Sequence, residues 1–140
     1  MDLTILPRSW TPSVQALLRM MIGLLFLQHG LAKLIDFPHM ENIKSTFAVF
    51  GQMSDDFRIA AGLIETVGGV LLTIGLLTRP VAFILCGFSA VAYFTAHAPI
   101  SFFPALNGGE HSVLFCFASL FLAAGGPGAW AIDRSQGGLA

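Results

Sequence analysis

Residues 14–35, "VQALLRMMIGLLFLQHGLAKLI", decide the fold. At about 1.5 Å of rise per residue this run crosses the roughly 30 Å hydrocarbon layer of a bilayer. Yet it carries Arg19 near one end, and His29 and Lys33 one helical turn apart near the other. An ionisable group in mid-span costs about 2.5–3.5 kcal/mol on insertion scales, and less near the ends. These three residues therefore need a reason to be there.

The rest of the chain supports a membrane setting. Of its 140 residues 55% are hydrophobic and only 11% charged, and the mean hydropathy is +0.77. A soluble domain of this size needs a larger polar share to cover its surface. The formal net charge of −1 leaves no basic footprint for nucleic acid. The first apolar run is longer than a signal-peptide core and no A-x-A site follows it, so it reads as a retained span.

Three further apolar segments follow, at 59–78, 80–98 and 111–126. In hydrocarbon only helices or closed barrels satisfy the backbone, and the two-residue alternation of a barrel strand is absent. The expectation is an all-α, four-transmembrane-helix bundle forming a single integral membrane domain over residues 1–140. In the first connection, Asp36 to Arg58, the residues Met40, Ile43, Phe47 and Phe50 recur at spacings of three and four. That pattern fits an interfacial amphipathic helix, with an irregular loop as the alternative. The second connection is only "TRP", Thr78–Pro80, which makes its flanking spans antiparallel neighbours, with Pro80 suited to a first helical turn. The third, "PISFFPALNGGE" (99–110), has no basic residue, and the tail "GGPGAWAIDRSQGGLA" (125–140) stops the last helix and sets Trp130 at interface height.

Arg8, Arg79 and Arg134 fall on the side shared by both termini. The other side has only Lys44 and Arg58, so the positive-inside rule places both termini in the cytoplasm. Cys86 and Cys116, near opposite ends of their spans, are expected to differ in depth by about 10 Å. A disulfide tolerates a Cα separation of about 7 Å, so a dithiol mechanism is disfavoured and both read as small core hydrophobes.

With the helices laid side by side, His29 and Glu65 each lie six residues from the outer end of their span, at matching depth. Lys33 is a turn higher, His97 closes the third span there, and Asn107, Glu110 and His111 enter the fourth. These groups converge on the outer third of the bundle; Arg19 alone lies toward the cytoplasmic end. His29 and Lys33 share a face by their i, i+4 spacing. Gly62, Thr66, Gly69 and Thr73 form a small-residue stripe of the kind that lets membrane helices approach closely, and Glu65 adjoins it. Glu65 is too short to reach water, so it needs a cationic partner (Lys33, His29 or Arg19) or a retained proton.

The segments "LLRMMIGLLFLQHGLAKL", "GLIETVGGVLLTIGLLTRPVA", "NGGEHSVLF" and "GGPGAWAIDR" carry a resemblance over nearly the whole chain. In order and spacing they resemble the DoxX family of small four-helix membrane proteins, where His111 stands at a place many relatives fill with an aromatic residue. The resemblance implies a four-helix bundle. Some relatives are subunits of membrane oxidoreductases, including one acting on thiosulfate with quinone as acceptor, and others are tied to thiol or oxidative-stress responses.

Two readings of the polar layer follow. In the first, the protein is a redox-linked inner-membrane subunit that binds a quinone or similar amphiphile. His29, Lys33 and Asn107 would donate hydrogen bonds, Glu65 and Glu110 would relay protons, and Phe94, Phe102 and Phe103 would line a slot, with His111 and Arg19 completing the candidate ligand-binding or proton-relay set. The chain has no haem, flavin or iron–sulfur signature, so electrons would come from another redox protein or a bound molecule. In the second, it is a non-catalytic partner or assembly subunit that uses the same polar network to fix helix register. A solute carrier ranks third, since the chain shows no internal repeat. A metal site from His29, Glu65, Glu110 and His111 is set aside because the spacing matches no established ligand pattern.

Overall fold

The structure, a computed structural model, describes residues 5–41 and 43–133, and every regular element among them is helical. Helix α1 spans Thr11–Ile35, with Pro12 in its first turn where a missing N–H is no loss, and ends at Asp36 in the left-handed conformation. A short α2, Ile43–Phe47, leads into a tighter 3₁₀ segment, Ala48–Met53. Helix α3, Ser54–Ile74, opens with Asp55 and Asp56 against the positive end of its dipole. It closes on Gly75 at φ 72, where the amides of Gly75 and Leu76 return to the carbonyls of Leu72 and Leu71. This paired cap requires a left-handed residue and stops the helix cleanly. Helix α4, Thr78–Ala92, widens into a π-turn at Tyr93–His97; α5, Pro104–Asn107, is one turn; α6 runs from Glu110 to Gly125.

Three helical stretches, Arg8–Ile35, Ala48–Ile74 and Thr78–His97, are long and apolar enough to cross a membrane. The fourth, α6, is apolar but has only 16 residues, about 24 Å. The second span starts five residues earlier than the hydropathy edge at Ile59 and stops four earlier than Thr78, because Gly75 caps it. The connection is therefore Gly75–Leu77, and Thr78 already belongs to α4, with Pro80 in the first turn. The stripe Ile43, Phe47 and Phe50 is half-buried, but it belongs to two short pieces rather than one helix, α2 ending at Phe47 and the 3₁₀ segment carrying Phe50; Gly51 at φ 58 breaks the run just after it. Phe50 packs on Phe57 of α3, ring centroids 4.4 Å apart. Arg134, part of the charge asymmetry above, lies outside the described residues.

The bundle is built of two tight antiparallel pairs, α1 with α3 and α4 with α6. In the first pair the small-residue stripe meets glycines of α1. A Cβ on Gly30 would stand 2.5 Å from the backbone N of Thr66 and 2.8 Å from the carbonyl of Gly62. One on Gly23 would stand 2.7 Å from the backbone N of Thr73. Backbone contact this close excludes any side chain, which is how membrane helices gain packing without a solvent-driven force. Helices α3 and α4 are antiparallel sequence neighbours, as the short connection requires, but pack less closely than either pair. Between the pairs lies the core of Ile22, Phe26, Leu72, Val81, Ala82, Leu85 and Leu122.

The cysteines correct the expectation drawn from sequence. Cys86 Sγ and Cys116 Sγ lie 3.6 Å apart. Cys86 is eight residues past the start of α4 and Cys116 nine residues before the end of α6. In antiparallel helices these positions share one depth. The error came from starting the third span at Pro80 and counting the shorter fourth one from its other end.

Candidate functional site

The register of α1 against α3 that seats Gly30 on Gly62 and Thr66 also sets Lys33 opposite Glu65. Lys33 Nζ donates to Glu65 Oε2 at 2.6 Å, and the two side chains are only 14% and 8% exposed. Of the three cations open to Glu65 in the sequence, Lys33 is therefore the partner. Lys33 Nζ also reaches the His29 carbonyl at 3.5 Å, and Arg58, anchored to Asp55 at 3.2 Å, donates to the Lys33 carbonyl. Lys33 and Arg58 line an open groove of about 920 Å³ beside the pair, together with Asp36, His39, Ile43 and Lys44.

A second cluster adjoins the first at the same end of the bundle. The His29 and His111 rings lie parallel, centroids 6.1 Å apart, and His97 stands edge-on to His111 at 5.2 Å. Phe115 is edge-on to both His29 and His111, and Phe26 packs on Phe115 at 4.9 Å. No hydrogen bond joins the His29 ring to another described residue, so its nitrogens are uncommitted. Among the described residues no three of His, Cys, Asp and Glu converge closely enough to hold a metal ion.

Asn107 is occupied differently. Its Nδ2 donates to the Ser101 carbonyl at 2.6 Å and to the Tyr93 hydroxyl at 3.3 Å, while its Oδ1 accepts the Gly109 amide at 2.7 Å. The Tyr93 hydroxyl in turn donates to the Phe102 carbonyl, and His97 Nδ1 donates to the Asn107 carbonyl at 3.1 Å. Asn107 thus ties the 99–110 loop to the π-turn and holds His97; both N–H donors of its amide are taken. Glu110 is exposed at the first position of α6.

Arg19 sits at the opposite end and is fully buried. Its Nη1 donates to the Pro127 carbonyl and its Nη2 to the Trp130 carbonyl, both at 2.9 Å. The tail continues to Asp133, whose two carboxylate oxygens accept the Leu77 and Thr78 amides at 2.7 Å each. Asp133 thereby caps the N-terminus of α4 from 55 residues away in sequence. Burial pushes the Asp133 carboxyl up, but the Thr78 and Leu77 amides and the Arg19 charge outweigh it and hold it below its ordinary value. Arg19 therefore belongs to a tail anchor, apart from the polar layer.

Of the seven residues singled out in the sequence, His29, Lys33, Glu65 and His111 come together; Asn107 and Glu110 frame them; Arg19 stands elsewhere. Phe94, Phe102 and Phe103, expected to line a slot, point outward at 64%, 72% and 62% exposure. The aromatic rings at the histidines are Phe115 and Tyr93, with Phe26 behind Phe115. Phe115 follows His111 by four residues, the spacing that puts both on one face, so helical register carried that signal.

Residues 14–98, well over half of the chain, match the DoxX family. The chain belongs to the DoxX family. The matched part of this DoxX protein contains Arg19, His29, Lys33 and Glu65, while Asn107, Glu110 and His111 follow it. A protein of Haemophilus influenzae described as uncharacterized is 39% identical over 128 residues, covering 89% of this chain and 92% of that protein. No solved structure matches the DoxX chain significantly.

Proposed function

We propose that this DoxX protein is a redox-linked subunit of the inner membrane that binds a quinone, or a similar small amphiphile, at the end carrying the histidines. In this reading the three long helical stretches and the shorter α6 all span the bilayer, both termini face the cytoplasm and the histidine end lies near the periplasmic surface. Arg8 and Arg79 at the opposite end support that orientation. Another redox protein, or a bound reductant, supplies electrons.

The observation that carries the reading is the Lys33–Glu65 pair. It is held almost fully buried in two apolar helices, yet Lys33 also lines a groove of about 920 Å³. Ionisable groups in spans are costly and mark ligand or proton pathways, and the groove falls in the volume range of small-molecule sites. Lys33 would donate to one ligand oxygen, Glu65 would pass a proton, and the open nitrogens of His29 offer a further donor or acceptor. The test is mass spectrometry of the small molecules that copurify with the protein, with melting curves in decylubiquinone. A retained quinone and a raised melting temperature that Glu65→Gln abolishes are the expected results. Protein free of quinone, with an unmoved curve, removes the reading.

The alternative, a purely structural network in an assembly subunit, is favoured by the position of the pair beside the Gly30–Gly62 contact, where a charge pair fixes register. It predicts that Glu65→Gln lowers the melting temperature without touching any ligand response.

A further inference from the structure

We propose that Cys86 and Cys116 form a redox-active dithiol inside the bundle, oxidised to an α4–α6 disulfide by a quinone dissolved in the bilayer. These are the chain's two cysteines, both unpaired and half-buried, and their sulfurs are in contact at 3.6 Å. That gap exceeds the roughly 2.05 Å of a disulfide by about 1.5 Å. Small buried residues lie along both helices, Ala82 and Ser89 on α4 and Ser112 and Ser119 on α6, beside the larger Val81, Leu85 and Leu122. Cys116 lies five residues along α6 from His111, about 7.5 Å of rise, and follows Phe115 of the histidine cluster directly.

The chemistry suits hydrocarbon. Two S–H bonds break and one S–S bond forms, releasing two electrons and two protons. The quinone accepts both electrons and both protons and leaves as the quinol. No charge remains in the low-dielectric interior, where a free thiolate is costly. Because both thiols are half-buried, a lipid-dissolved ring approaches them without entering the aqueous phase. The dithiol thus gives the chain a two-electron centre of its own. The proposal rests on the quinone reading for its oxidant alone.

The test uses the full chain, reduced and placed in nanodiscs, with alkylation by maleimide and intact-mass measurement. Decylubiquinone is expected to abolish alkylation of both thiols, to lower the mass by two hydrogens and to yield one quinol per chain. Cys116→Ser is expected to keep the melting curve and its quinone shift but to form no quinol; quinol formation at the wild-type rate by this variant overturns the proposal. Quinone that shifts the melting curve while both thiols stay reactive also overturns it, and leaves quinone binding standing. Diamide, a thiol oxidant that is not a quinone, separates the two ideas. Disulfide formation by diamide with quinone unbound supports the dithiol and removes the quinone reading; thiols that resist diamide overturn the dithiol.

Discussion

The two ends of the bundle hold buried charge in opposite ways. At the tail end, the Arg19 guanidinium is bound by the carbonyls of Pro127 and Trp130, and Asp133 is consumed by two backbone amides. At the histidine end, Lys33 of one ion pair lines an open groove, the His29 and His111 rings stack nearby, and the His29 nitrogens are uncommitted. Charge answered by the backbone holds a structure together. Charge answered by another side chain, with capacity to spare, is available to a ligand. The contrast separates anchor from candidate site more sharply than depth in the membrane does.

The largest effect is expected from breaking the anchor. Arg19→Ala removes two charge-assisted hydrogen bonds from a fully buried site, and thermal unfolding in detergent should show a loss of about 3 kcal/mol. Quinone response should persist in whatever folded fraction remains; a selective loss of that response would erase the contrast between the ends. Next comes Glu65→Gln, which trades a charge-assisted hydrogen bond from Lys33 for a neutral one and should cost about 2 kcal/mol, combined with loss of the ligand-induced melting shift. A double variant with Lys33→Met should recover part of the stability but none of the ligand response.

A smaller effect, about 1 kcal/mol, is expected for Asp133→Asn through the lost cap on α4. Its pH dependence has a definite sign. Asp133 is held below the ordinary carboxylate value, so the unfolded chain binds the proton more readily. The stabilisation is complete above about pH 4, the ordinary aspartate range, and fades as pH falls through the lower native value. Unfolding measured across that acid window should show a slope in the wild type that Asp133→Asn flattens. The smallest stability change, within about 1 kcal/mol, is expected for His29→Phe, which keeps a ring of similar volume against Phe115 and His111. Loss of the quinone shift in that variant, at nearly unchanged melting temperature, would place function and stability on different residues.

Much of this was legible in the chain. Hydropathic runs gave four helices, the stripe Gly62, Thr66, Gly69 and Thr73 gave the face of α3 that meets α1, and i, i+4 spacing placed His29 and Lys33 on one side. The end of α3 has a local cause, Gly75, yet the apolar run continues past it to Thr78 and hides the cap. Local rules failed at Cys86 and Cys116, because a boundary error of a few residues moves a side chain by several ångströms along the membrane normal. They failed again at Asn107, whose amide looked like a free donor until the folded loop consumed it.

The sequence by itself determined the membrane setting, the helices and the polar layer, because hydrophobicity and turn chemistry act within a few residues of where they are written. Only the tertiary structure decided which charge answers which. Lys33 rather than His29 meets Glu65, Arg19 is held by a tail more than 100 residues away, and two cysteines thought to lie apart touch. These pairings depend on helix register and on which helices pair. The backbone contacts at Gly23 and Gly30 fix that register for α1 and α3, and no local pattern in the chain records it.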